Sequence, residues 1–220
     1  MGAAIYSHQR VDLGAEVPRR LIEAASEMFA RHGYAGTRLR EIVRTAEVDL
    51  SAVNHYFGGK EGLYAATLKQ LSDARPATSS MPWLPATGQQ AEDALYRQVL
   101  GILRRFVEGK STSPLGRILA HESMNPTECF DQLITDIVRP ELERLGAIVK
   151  RLAGAGADDA LVARIAMSVM GQCLFYLFAR GAIDRIYPQV PHRDCEALAR
   201  HITGLSLMGI AVHSSRSPAS

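Results

Sequence analysis

The sequence predicts an all-α chain, and three observations carry that expectation. Apolar residues recur at helical spacing from residue 17 to residue 213. No stretch alternates apolar and polar residues as a strand would, and there is no Asn-Gly hairpin turn and no internal repeat. Ala, Leu and Arg are the commonest residues while aromatics are only 6%, a composition that leans helical. With 47% apolar residues, 220 residues suffice for one large domain or two small ones.

Taken in order, residues 17–32 place Leu21, Ile22, Ala25, Met28 and Phe29 on one face, with Pro18 at the start and Gly33 where a left-handed cap is wanted. Thr37 is the expected N-cap of a second, short helix striped by Leu39, Ile42, Val43 and Ala46. Asp49 caps a third over 50–56, which Gly58-Gly59 ends. Lys60 opens a fourth, with Leu63, Tyr64, Thr67, Leu68 and Leu71 inward. Residues 74–90 hold three prolines and read as a loop tucked onto the core through Met81 and Trp83. Helical spacing then returns over 91–109, over 114–124 after Pro114, and over 126–153 after Pro126, with a kink expected near Arg139 because Pro140 follows. Residues 158–180 are apolar nearly all round, and a last helix covers 193–213.

Charge and cysteine usage narrow the function. The net charge is +2, and residues 1–73 hold nine Lys/Arg against nine Asp/Glu, so a nucleic-acid argument must rest on where charges sit. Cys129, Cys173 and Cys195 are widely spaced, form no CxxC pair and are odd in number, which fits free thiols in a reducing cytoplasm. The first residues lack a signal-peptide core, and no run reaches the roughly 18 apolar residues of a membrane span. A soluble, cytoplasmic protein is expected.

Two short helices joined by about four residues suit a helix-turn-helix. On the second, Val53 and Phe57 share the face that packs on Ile42 and Val43, while Ser51 and His55 project oppositely with Asn54 beside them. In a major groove such side chains reach base edges or phosphates. The Thr37 hydroxyl and nearby amides are placed to meet one phosphate, and Lys60 another, at a helix start where dipole and charge cooperate.

The segment AASEMFARHGYAGTRLREIVRTAEVDLSAVNHYFGGKEGLY, residues 24–64, resembles the TetR family of transcriptional regulators. Gly33-Tyr34, Thr37, Ile42, Val48, Tyr56-Phe57, Lys60-Glu61 and Leu63 carry the likeness without gaps. Departures are Val43 in place of Ala, Glu47 in place of Gly, Asp49 in place of a Ser or Thr cap, and the order Asn54-His55-Tyr56. The last leaves the operator sequence open. NHYFGGKEGLY, residues 121–127 and residues 177–188 further resemble the subgroup with a C-terminal domain of the cefoperazone–chloramphenicol sensitivity regulator type.

The resemblance implies a flexible N-terminal arm (1–16), a DNA-binding domain (17–60), a linking helix (61–73), the loop (74–90), and a C-terminal regulatory and dimerisation domain (91–220). The residues expected at DNA are Thr37, Arg38, Arg40, Leu50, Ser51, Asn54, His55, Tyr56 and Lys60. Arg19 and Arg20 lie near that end, with phosphate contact left open. The expected partners are a double-stranded operator, a second copy of the chain and a small-molecule effector, with no cofactor and no membrane. Phe106, His121, Met124, Met170, Cys173 and Tyr176 are candidate effector-pocket residues, although a run such as Met167, Met170, Cys173, Phe175, Tyr176 and Phe178 more often serves as core and dimer interface.

His121-Glu122 lacks the second histidine of a zinc helix, since Asn125 stands there. His192 and His201 are too far apart for usual ligand spacing. No nucleophile or acid/base set converges, so an enzyme or carrier is the weaker alternative. A ligand-responsive repressor acting as a homodimer on a pseudo-palindrome is expected, with an activator of the same fold as the alternative.

Overall fold

The computed structural model describes residues 13–73, 88–107, 113–154, 156–190 and 194–216. All regular structure among them is helical. The chain divides into two compact units, residues 1–73 and 74–220. The expected placements of Met81, Trp83 and His192 lie outside the described residues.

The first unit holds α1 (Leu13–Gly36), α2 (Leu39–Ala46), α3 (Leu50–Phe57) and α4 (Lys60–Asp73). α1 begins before the expected start, so residues 13–16 are helical rather than part of an arm, and Pro18 lies inside the helix. Only one intrahelical bond, to the carbonyl four residues back, is lost there. Gly33, at φ 67° and ψ 177°, breaks the helix where a left-handed turn was expected. Leu21, Phe29, Ile42, Val53, Leu63 and Tyr64 fill the core, and the rings of Phe29, Tyr34 and Tyr64 meet at 4.6–6.2 Å. α4 packs on α1 and α3. Its buried Thr67 hydroxyl donates to the Leu63 carbonyl at 2.7 Å, which satisfies it within its own helix.

The second unit holds α5 (Gly88–Val107), α6 (Pro114–Met124), α7 (Phe130–Leu133), α8 (Arg139–Ala153), α9 (Asp159–Phe178), α10 (Arg180–Ile186) and α11 (Cys195–Arg216). α5 begins inside the expected loop. α6 starts as expected, with Pro114 in its first turn and the Ser113 hydroxyl accepting from the Gly116 amide at 3.1 Å. The expected single helix 126–153 is divided. Residues 125–129 turn, anchored by the buried Glu122 carboxylate, which accepts from the amide and hydroxyl of Thr127. α7 then passes through a π-helical stretch, Ile134–Val138, into α8. One wider turn just before Pro140 accommodates a residue that lacks an N–H and crowds the preceding carbonyl. α10 is a separate element beyond the expected end at 180.

α5 runs against α8, α9 and α11 in the interior of this unit. The core there is mostly apolar, and one buried charged group ties its helices together. Glu141 of α8, 2% exposed, accepts from Gln98 and from Arg105 of α5, the latter at 2.5 Å, with Arg144 at 3.6 Å. A buried carboxylate needs such company, because removal from water is costly unless partners replace it.

Candidate nucleic-acid interface

α3 is set by its two ends. The Asp49 carboxylate accepts from the Ser51 amide at 2.8 Å. Hydrogen bonding from the Ser51 side chain and amide holds that carboxylate below its usual range. At the other end Gly58 (φ 73°) and Gly59 (φ 129°) adopt conformations that side chains resist, so the chain reverses within two residues. Gly62 answers a third demand. A Cβ there would lie 1.9 Å from the Phe57 carbonyl oxygen, so α4 approaches the end of α3 too closely for any side chain.

With Val53 fully buried, Leu50, Ser51, Asn54 and His55 form an outward strip, and Tyr56 is exposed at its flank. The His55 and Tyr56 rings meet edge to face at 4.7 Å. Eight residues span about 12 Å, which matches the width of a major groove. Arg38 and Arg40 are exposed at the start of α2, and Arg38, not Thr37, occupies its N-cap without a side-chain cap bond. Thr37 is the correction among the site residues. It is 2% exposed, and its hydroxyl donates inward to the Gly33 carbonyl at 2.7 Å, with the Met28 carbonyl at 3.1 Å. The loose end of α1 needs that donor, so the hydroxyl is turned away from any phosphate.

Lys60 lies at the first residue of α4 with its ammonium 4.5 Å from the centre of the Tyr34 ring. Partial burial lowers its pKa. An anion brought alongside would favour the charged form. Beside α3 is a concave surface lined by Val17, Arg20, Glu47, Val48, Asp49, Ser51, Ala52, His55 and Tyr56. Sequence reasoning missed Gly62 and the role of Glu47 in this surface. The signal for Glu47 was its departure from the glycine of the family pattern it resembles: it caps α2 at φ 50°, ψ 48°.

The effector-pocket candidates fall on different elements. Met170, Cys173 and Tyr176 share one strip of α9, with the first two buried. Burial pushes the Cys173 thiol up to about 12, which leaves it protonated and unreactive. His121 is half-buried on α6. Met124 is 80% exposed at the end of α6. The side chain of Phe106 lies outside the described residues.

The sequence matches two family descriptions: bacterial regulatory proteins, tetR family, over residues 21–67, and the C-terminal domain of the HTH-type transcriptional dual regulator CecR over residues 91–210. It is 24% identical to the dual regulator CecR of Shigella flexneri over 178 residues, 77% of this chain and 79% of that one. It is 34% identical to the regulatory protein RaaS of Mycobacterium tuberculosis over 117 residues, 50% of this chain and 52% of that one.

The fold is shared with the regulator FadR of Bacillus subtilis, solved in complex with stearoyl-CoA (TM-score 0.65, 19% identity, 87% and 98% covered). It is shared also with the TetR family regulator PfmR of Thermus thermophilus (0.61, 23%, 86% and 97%). Among the described residues no single helix is long and apolar enough to cross a membrane. The relatives are regulators rather than enzymes, the first unit is a helix-turn-helix with an outward polar strip, and the matched descriptions cover both units: the chain belongs to the TetR family of DNA-binding transcriptional regulators, with a C-terminal domain of the CecR type.

Proposed function

We propose that the chain is a ligand-responsive repressor that binds a pseudo-palindromic operator as a homodimer in the cytoplasm. The observation that carries the DNA half is the capped, eight-residue α3 with Leu50, Ser51, Asn54 and His55 outward and Lys60 at its flank. Asn54 and His55 read base edges, while Lys60, Arg38 and Arg40 meet phosphates. Support for the dimer comes from two exposed apolar strips of the second unit, Met167, Phe175 and Phe178 on α9 and Leu205, Met208 and Val212 on α11. Apolar surface of that extent on neighbouring helices favours a self-complementary, two-fold interface. Two heads so joined would read major grooves about 34–36 Å apart. A small molecule held in the C-terminal domain would favour one spacing of the heads and so shift DNA affinity by that difference. FadR, crystallised with stearoyl-CoA, supports an effector of some kind without fixing its class.

A gel shift on the chain's own upstream DNA tests the reading. Asn54→Ala should relax base discrimination by about 1–3 kcal/mol at one position. Lys60→Ala should weaken binding to all sequences and lower the salt slope by about 0.9. Wild-type affinity and slope in both variants would remove α3 and α4 from the interface. A second reading, action as an activator or in both senses, is favoured by the dual-regulator description of the Shigella relative. A reporter placed behind the bound site separates the two by the sign of the change when the protein is removed.

A further inference from the structure

Arg19 and Arg20 are neighbours in sequence with opposite fates. Arg19 is spent on its own helix, bonded to Glu16 at 2.7 Å and Glu23 at 2.5 Å. Arg20 leaves α1 and crosses to the turn between α2 and α3. There its Nη2 donates to the Glu47 carboxylate at 3.1 Å and lies 3.4 Å from the Glu47 carbonyl oxygen. That places the guanidinium on the concave surface shared with Ser51, His55 and Tyr56, on the flank of the recognition helix. Nε and Nη1 make no hydrogen bond among the described residues, so donors of the planar fork remain for a second acceptor.

Glu47 is itself out of the ordinary. It is the only residue other than glycine with positive φ among those described, a conformation that disfavours a side chain by about 1–2 kcal/mol. Its carboxylate is 84% exposed, and with Asp49 it sets two negative charges beside a surface meant for a polyanion. One carboxylate caps α3. The other would only repel phosphate unless it held a cation in place.

We propose that Arg20 is an additional phosphate-binding residue of the DNA interface, and that Glu47 is the positioning residue that holds it beside the recognition helix. Arg20 bridges: Nη2 stays on Glu47, while Nε and Nη1 point to a backbone phosphate in the geometry that guanidinium groups favour. The proposal rests on the DNA-binding reading of α3.

The test uses the full-length protein and a 30-bp duplex that it recovers from a randomised pool, titrated from about 0.05 to 0.3 M salt. Arg20→Gln should weaken binding about fivefold at 0.15 M salt and lower the slope of log K against log salt by about 0.9, the signature of one lost phosphate contact. Arg19→Gln should change neither. Arg20→Lys should keep the slope while binding more weakly, because charge survives and the fork does not. In a Glu47→Gly background Arg20→Gln should cost under about twofold, a non-additivity that an independent pair would not show.

An unchanged slope in Arg20→Gln, with thermal unfolding like the wild type, overturns the contact. An equal effect of Arg20→Gln in both backgrounds overturns the role of Glu47. Lys60→Ala, run alongside, separates the failures: a reduced slope there with none in Arg20→Gln sinks this inference alone, whereas no recoverable duplex sinks the DNA reading with it.

Discussion

Both units bond buried hydroxyls to a carbonyl four residues back, as Ser206 does to Ile202 in the second, but among the described residues only the second also holds a buried carboxylate between distant helices. In the first, Ser26, Thr37 and Thr67 are buried, and each finds a backbone carbonyl four residues back, at 2.7–2.8 Å. In the second, Glu141 depends on Gln98 and Arg105, 43 and 36 residues away in sequence. Local satisfaction fixes a small unit almost independently of what surrounds it, as suits a reading head. A buried ionic cluster ties separate helices together, and its worth depends on every partner being present.

The sharpest way to break this contrast is Glu141→Ala, which leaves Arg105 buried without its counter-charge. A loss of about 3–5 kcal/mol is expected, confined to protection of the second unit in hydrogen exchange resolved by unit. Gly62→Ala comes next. The added methyl meets a backbone oxygen, so the α3–α4 turn must open, at about 1–3 kcal/mol, seen as lost protection in the first unit and weaker DNA binding. Glu47→Gly should go the other way, with chemical denaturation showing the first unit about 1 kcal/mol more stable, because left-handed strain exceeds an exposed ion pair. If Arg20 is as proposed, that variant is more stable and yet a poorer DNA binder.

Asp49→Ala should lower the melting point of the first unit by about 4–8 °C through the lost cap. The same cap predicts a small pH effect. A carboxylate whose folded pKa is depressed adds stability that is complete above the ordinary Asp value, near 3.9, and is lost as pH falls through its lower folded value. Thermal melts of the wild type and Asp49→Ala should therefore differ at pH 6 and draw together as the pH falls through the depressed folded value. A constant difference would mean that the cap acts without its charge.

The same contrast explains what could be read from residues alone. The Asp49 cap, the double glycine and the start at Lys60 are chemistry written within a few positions, and each stands where expected. Thr37 misled because a threonine before a helix reads as a cap, whereas here the end of α1 competes for its hydroxyl and wins. Pro18 misled because proline tolerates a first turn, yet one lost bond near the start of a long, well-packed helix is a small penalty. Gly62 carried no signal in one sequence, since the carbonyl it must clear belongs to a reversed chain. In the second unit the kink at Pro140 was legible, but its form as a π turn, the separate α10 and the partners of Glu141 depend on packing between distant helices. The pocket candidates suffered most: apolar periodicity cannot tell a strip that faces the interior from one, like Met167, Phe175 and Phe178, left outside.

The close approach at Gly62 has a mechanical meaning. A joint with two left-handed glycines would ordinarily be the softest point of a chain, yet the start of α4 abuts the Phe57 carbonyl with no slack to fold further inward. α4 also packs along α1, so Lys60 and the strip of α3 cannot be repositioned separately. Fourteen residues make α4 a lever about 21 Å long, and a tilt of about 5° at its far end carries Lys60 sideways by about 2 Å. That distance exceeds the tolerance of a hydrogen bond. A head released from DNA by such a tilt would swing as one solid piece, with nothing inside it needing to melt.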